Sequence, residues 1–193
     1  IIIGYDHHFG RNRTANIHDL KAFGEIYDFK VTEILAQEID EVTISSTKIR
    51  QALNSGDVKT ANTFLGYNFM ISGTVVKGKG IGKTLNFPTA NIRISESYKL
   101  IPKHGVYVVK TRILNTTVFG MMNIGVNPTV NGKLRSIEIH FFDFSQDIYG
   151  VYLEIEILKR LREEQKFDSL AELEKQLLKD AVVSKQFLQQ ING

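Results

Sequence analysis

Near residue 68 the texture of this chain changes, and that change limits its fold more than any other feature. Before it, short apolar runs alternate with helical stretches: "III" at Ile1–Ile3, "IHDLKAFGEIY" at Ile17–Tyr27, "KVTEIL" at Lys30–Leu35, and a capped helix from about Ser46 to Asn54 that stops at Gly56. A short helix in "DVKTANTFLGY" then serves as connector. Strand–helix–strand order predicts a parallel sheet of nucleotide-binding topology. Beyond the change come "YNFMISGTVVKG", "GVYVVKTRIL", "TTVFGMMNIG", "SIEIHFFDF" and "VYLEIEILKRL", strand-like runs divided by Gly, Asn and Pro. Runs of this kind predict an antiparallel barrel or sandwich. The last stretch, Ser169–Ile191, is helical, with Ser169 and Glu172 as a capping box and Leu170, Leu173 and Leu177 on one face. The expected class is α+β: a truncated α/β piece over residues 1–65, then a β-barrel with a C-terminal helix over 66–193.

Three elements are too few for a complete parallel sheet, and the chain opens on an apolar strand with no initiator methionine and no signal-peptide pattern. The expectation is a fragment whose N-terminal neighbour is missing. With 42% hydrophobic and 23% charged residues in 193, a real core can be buried. No apolar run approaches the ~20 residues that span a bilayer. The absence of cysteine excludes disulfides and thiolate metal sites and fits a cytoplasmic setting. A net charge of +3 suits anionic substrates such as nucleotides and is weak support for nucleic acid.

The chemistry concentrates in "KGKGIGKTLNFPTANI", residues 77–92. It is not a Walker loop: counting back from Gly82-Lys83-Thr84, the first glycine falls on Lys77. Pro88 also forces Phe87 toward extended geometry, where a phosphate-binding helix should continue. What remains is a glycine loop whose N–H groups can converge on an anion, with charge from Lys77, Lys79 and Lys83. A solvated hairpin loop is the bland alternative. If Thr89-Ala90-Asn91 is extended, the Thr89 and Asn91 side chains share a face ~6–7 Å apart. Two neutral oxygens suit Mg²⁺ already carried by ATP phosphates; a bare ion prefers carboxylates. A Pro-Thr turn with an Asn cap explains the same residues.

In "RSIEIHFFDF" strand alternation puts Ser136, Glu138 and His140 on one face and Ile137, Ile139 and Phe141 on the other. Glu138 is a lone acid on a rigid strand, either a solvent-facing residue or a general base. His140 is taken as structural. "GYDHHFG" with Asp6, His7 and His8 lacks a third spaced ligand and reads poorly as a metal site. "ISSTKIRQAL" sets Ser46 and Thr47 at a helix N-terminus with Arg50 one turn in, either a plain N-cap or a phosphate site.

"GTVVKGKGIGKTLNFPTANI" resembles the glycine loop and Pro-Thr-Ala-Asn motif of riboflavin kinases. The similarity runs on through "HGVYVV", "MNIGVNPTVNG", "IEIHFFDF", "DIYG" and "LREEQKFDSLAELEKQL", over residues 66–191. It implies a six-stranded antiparallel Greek-key barrel with a C-terminal helix, acting as an ATP:riboflavin 5′-phosphotransferase. On matching positions it implies Gly78, Lys83, Thr89 and Tyr149 at ATP, Thr89 and Asn91 on Mg²⁺, and Glu138 as catalytic base. It also implies Arg162, Glu163 and Phe167 closing over the flavin. Lys83 stands where many bacterial relatives carry arginine, and Asn86 where glycine is usual; Asn tolerates positive φ. The first part resembles the adenylyltransferase module of prokaryotic bifunctional FAD synthetases, implying roles for Asp6, Ser46, Thr47 and Arg50 at ATP and FMN. That family's earlier His-x-Gly-His motif is not in these residues, so the expectation is FMN formation here and FAD formation only in a longer parent. Expected partners are small molecules (ATP, riboflavin and FMN), without nucleic acid or membrane. A flavin-binding sensor barrel without turnover is the alternative.

Overall fold

The computed structural model describes residues 1–36, 38–39, 42–78, 80–129 and 132–192. Lys79 of the glycine loop lies outside them. The chain divides into two units, Ile1–Ser46 and Thr47–Gly193.

In the first unit, β1 (Ile2–Gly4), α1 (Ile17–Tyr27) and β2 (Thr32–Ile34) form a β–α–β arrangement whose strands pair in parallel, Ile3 opposite Glu33. Ile3, Ile17 and Leu20 bury the helix face against the strands, with Phe9, Phe29 and Val31 packed beside them. The helix starts at Ile17 because Asn16 caps it. Its side chain accepts from the His18 N–H at 2.8 Å, and Asp19 accepts from the Asn16 N–H at 2.8 Å. A pair of two-residue strands, β3 (Glu38–Ile39) and β4 (Val42–Thr43), follows.

The division between units falls at the first residue of α2 (Ser46–Ser55). With α3 (Val58–Leu65), α2 therefore groups with the barrel, whereas the expected domain division lay at 65/66. The reason is anchoring: the Leu53 carbonyl accepts from the Lys103 N–H at 3.0 Å. Asn62 donates to the Ile157 carbonyl at 2.9 Å and accepts from the Phe69 N–H at 2.8 Å. Helix α2 ends at Gly56, φ +86°, where a Cβ would come 2.8 Å from Arg160 Cδ. Only glycine fits both the turn and the contact.

The barrel strands are β5 (Met70–Val76), β6 (Ala90–Arg93), β7 (Gly105–Ile113), β8 (Thr116–Thr129), β9 (Gly132–Phe141) and β10 (Tyr152–Arg162). They close in the order β10-β5-β6-β9-β8-β7 with every pair antiparallel. Closure gives every strand of the barrel a neighbour on both sides. Alternate residues fill the interior: Tyr107, Met122, Ile124, Ile139, Ile155 and Ile157 are wholly buried. Each such aliphatic side chain contributes roughly 1.5–3 kcal/mol by leaving water.

Between β5 and β6 sits a single helical turn, α4 (Ile81–Thr84). Helix α5 (Leu170–Asn192) lies against the outer barrel wall. The Ser169 hydroxyl accepts from the Glu172 N–H at 3.2 Å, while the Glu172 carboxylate accepts from the Asp168 N–H at 3.3 Å rather than from Ser169. Leu173 and Leu177 pack against Val106 and Met121 as their spacing predicts. Leu170, at the first helical position, is 58% exposed and does not join them.

Candidate active site

Strand β9 presents two faces. Ile137, Ile139 and Phe141 point into the barrel, while Glu138 and His140 face outward and are half-buried. Register then brings Glu138 its neighbours: Asn91 on β6 is its partner on one side and Asn123 on β8 on the other. Directly paired residues share a face, so the carboxylate stands between two amides.

The Pro88–Thr89 segment is fastened to the same face at both outward positions. The Thr89 hydroxyl donates to Glu138 Oε2 at 3.2 Å. His140 Nδ1 lies 2.9 Å from the Pro88 carbonyl, which can only accept, so Nδ1 carries the hydrogen. The imidazole also packs edge-on against Phe87 and Phe142, with ring centroids 5.0 and 5.8 Å away. His140 thus ties β9 to the Pro88 carbonyl and to two aromatic rings.

The glycine loop holds less open chain than the sequence predicts. The single turn α4 ends before Leu85, the Gly82 carbonyl accepts from the Phe87 N–H at 2.8 Å, and Asn86 takes φ +60°. No helix continues from Lys83 toward a phosphate, so the Walker reading fails in the structure too. Gly78 lies against the Asn91 amide so closely that a Cβ there would overlap it.

Two cavities open beside this face. One, of about 310 Å³, has apolar walls from Leu85, Phe87, Val106 and Met121, closed by Leu173 and Leu177 of α5, with Glu138 and Asn123 among its polar groups. The other, of about 620 Å³, is lined by Lys83, Asn86, Asp147 and Tyr149. Thr89 lines both. Lys77 Nζ lies 5.9 Å from the centroid of the Tyr149 ring, adding a second cation beside the larger cavity. Gly78 and Asn91 line neither cavity.

Of the three residues expected over a flavin, Arg162 and Phe167 line the apolar cavity, the guanidinium 5.9 Å from the ring centroid. Glu163 does not line it. It is exposed and ion-pairs with Lys103 at 2.9 Å and Arg160 at 3.7 Å; the Lys103 hydrogen bond and charge hold its carboxyl below the usual range. Glu164 lines the cavity instead, its Oε1 accepting from the Val126 N–H at 3.3 Å. Register shifts in β10, between Ile157 and Lys159 and between Arg160 and Arg162, interrupt the strand's alternation just before these residues.

Sequence reasoning missed Asp180. It is buried on α5 and accepts from Arg162 Nε at 3.0 Å and Nη2 at 2.6 Å, with Gln176 donating at 2.9 Å. An aspartate three turns into a helix carries no local signal for this partner. Asn123 was missed for a similar reason, because only register places it opposite Glu138.

Among the described residues no group of three or more His, Asp or Glu side chains is set to hold a metal. Asp6 lies in the exposed turn after β1, while Ser46 and Thr47 open α2 with Arg50 one turn in, all exposed.

Residues 65–188 match the riboflavin kinase (flavokinase) family, nearly the whole of the barrel, its cavities and α5. The chain belongs to the riboflavin kinase family. Residues 1–48 match the FAD synthetase family. The riboflavin kinase part and what precedes it are both covered by bifunctional riboflavin kinase/FMN adenylyltransferases. That of Buchnera aphidicola is 40% identical over 190 residues, covering 97% of this chain and 60% of the relative. That of Haemophilus influenzae is 40% identical over 186 residues, covering 96% and 60%. A crystal structure described as a macrolide-efflux protein from Streptococcus pneumoniae superposes with a TM-score of 0.84 at 37% identity, over 95% of this chain and 60% of that one. The chain spans about 60% of the length of the relatives it matches. Among its described residues no helix is long and apolar enough to cross a membrane.

Proposed function

We propose that this chain transfers the γ-phosphate of ATP to the 5′-hydroxyl of riboflavin, giving FMN and ADP. One observation carries the mechanism: Thr89 belongs to both cavities and its hydroxyl touches Glu138. The flat, largely apolar isoalloxazine suits the smaller cavity, with Phe167 and Arg162 as stacking surfaces. The phosphates suit the larger one, where Lys83 supplies charge and Tyr149 an aromatic face.

A primary hydroxyl is a weak nucleophile. Glu138 orients it and takes its proton as the new O–P bond forms and the bond from the γ-phosphorus to the bridging oxygen of ADP breaks. The neutral oxygens of Thr89 and Asn91 fit Mg²⁺ that arrives on the phosphates, since among the described residues no carboxylate cluster competes for it. When bound, that ion offsets the charge gathering on the phosphoryl oxygens. Gly78 serves by lying flat over Asn91. Glu163, exposed and tied to Lys103, belongs to the segment read by resemblance as closing over the flavin.

In a longer protein, residues 1–65 complete an FMN adenylyltransferase domain, with Asp6, Ser46, Thr47 and Arg50 at its nucleotides, and the protein works in the cytoplasm on small molecules alone. The test incubates this chain with ATP, MgCl₂ and riboflavin and follows FMN and FAD separately. The expected result is FMN without FAD, abolished by a chelator. Flavin binding without FMN would leave a sensor barrel and overturn the proposal.

A further inference from the structure

Asn123 is the directly paired neighbour of Glu138 on β8, on the side away from Asn91. Side chains so paired lie ~4.5–5.5 Å apart at Cβ and point the same way. Asn123 therefore faces the smaller cavity together with Glu138, and it lines that cavity. Next in the row across the barrel is Val106 on β7, and two residues before it on its own strand is Met121, both buried and apolar. Asn123 is half-buried among them, and among the described residues its amide has no hydrogen-bond partner.

The amide opens into the cavity beside Glu138, with Glu164 also close by, so it can take a hydrogen-bonding partner there. Riboflavin carries such a partner. Its ribityl chain bears secondary hydroxyls beside the reacting one, and each both donates and accepts, as the amide does. The strand spacing of ~4.8 Å matches the step from a terminal hydroxyl to one two carbons further in.

We propose that Asn123 binds a secondary ribityl hydroxyl while Glu138 holds the terminal one, so that Asn123 sets the requirement for a polyol side chain. This rests on the riboflavin kinase reading above. A site built to bond a hydroxyl rejects an analogue lacking it, whereas an apolar wall discriminates little.

The test compares riboflavin with 7,8-dimethyl-10-(5-hydroxypentyl)isoalloxazine, which keeps only the terminal hydroxyl. The kcat/KM of each is measured for the unaltered chain and for Asn123→Leu, close to the same size. The unaltered chain is expected to favour riboflavin by about tenfold or more, and Asn123→Leu to shrink that ratio about tenfold, mainly by losing riboflavin. Equal loss on both substrates, with the ratio unchanged, would make Asn123 merely structural and overturn the proposal; so would absence of a preference in the unaltered chain. If Asn123→Leu fails to fold, Asn123→Ser, which shortens the reach, is expected to narrow the ratio too. Should the unaltered chain make no FMN from riboflavin, the kinase reading itself falls.

Discussion

The Thr89 hydroxyl donates to Glu138 Oε2 at 3.2 Å, joining the end of the glycine loop to the middle of a barrel strand. This bond fixes the carboxylate before any substrate arrives, so its loss and the loss of its charge can be separated by substitution.

Glu138→Gln keeps an acceptor for Thr89 but removes the proton acceptor. Turnover to FMN is expected to fall by ~10²-fold or more, with the thermal midpoint within a few degrees of the unaltered chain. Near-normal turnover would dismiss Glu138 as the base.

Thr89→Val keeps the shape and removes the oxygen. The expected outcome is a higher Mg²⁺ and ATP requirement together with lower turnover, while Thr89→Ser, which keeps the hydroxyl, retains most of both. A Val variant titrating with Mg²⁺ like the unaltered chain would take Thr89 off the cation.

Arg162 and Asp180 form a two-pronged ion pair whose side chains are only 18% and 5% exposed. Asp180→Ala strands a guanidinium and is expected to cost about 3 kcal/mol or more in urea unfolding. Pairing it with Arg162→Met should restore most of that stability but not riboflavin affinity, since the flat cation at the cavity is gone. A single-variant cost under about 1 kcal/mol would contradict the argument.

Asp57 caps α3 by accepting from the Thr60 N–H at 3.1 Å, and hydrogen bonds with the Thr60 side chain and backbone hold its carboxyl below the usual range. A lowered folded pKa means stability that is present above the ordinary carboxylate value and lost as pH falls through the lowered one. Asp57→Ala is expected to cost about 1 kcal/mol at pH 7, with the gap to the unaltered chain closing in acid. An equal gap at pH 7 and well below pH 3 would show that its charge is irrelevant.

The parts of this molecule legible in its sequence are those governed by local spacing. Ile137, Ile139 and Phe141 announce an inward face, Ser169 the cap of the last helix, and Asn86 a turn with positive φ. Thr89 beside Glu138 was reached through the family resemblance and is met in the structure by a hydrogen bond. What was not legible depends on distant pairing. Asp180 finds Arg162 across the gap between helix and strand, and Asn123 meets Glu138 through register. Glu164 rather than Glu163, the residue named by resemblance, lines the apolar cavity, and beyond the end of β10 at Arg162 no strand alternation says which of the two does so. Helices α2 and α3 follow the barrel because Asn62 and the Leu53 carbonyl bond to it, which composition does not reveal.

That a single threonine forms part of both chamber walls has an evolutionary consequence. On the proposed reading of the two cavities, donor and acceptor preferences cannot drift independently at this partition, because any replacement that reshapes one compartment also reshapes the other. Adaptation to a new phosphoryl donor is therefore more accessible at the far walls, around Tyr149, than at the point where the two compartments meet.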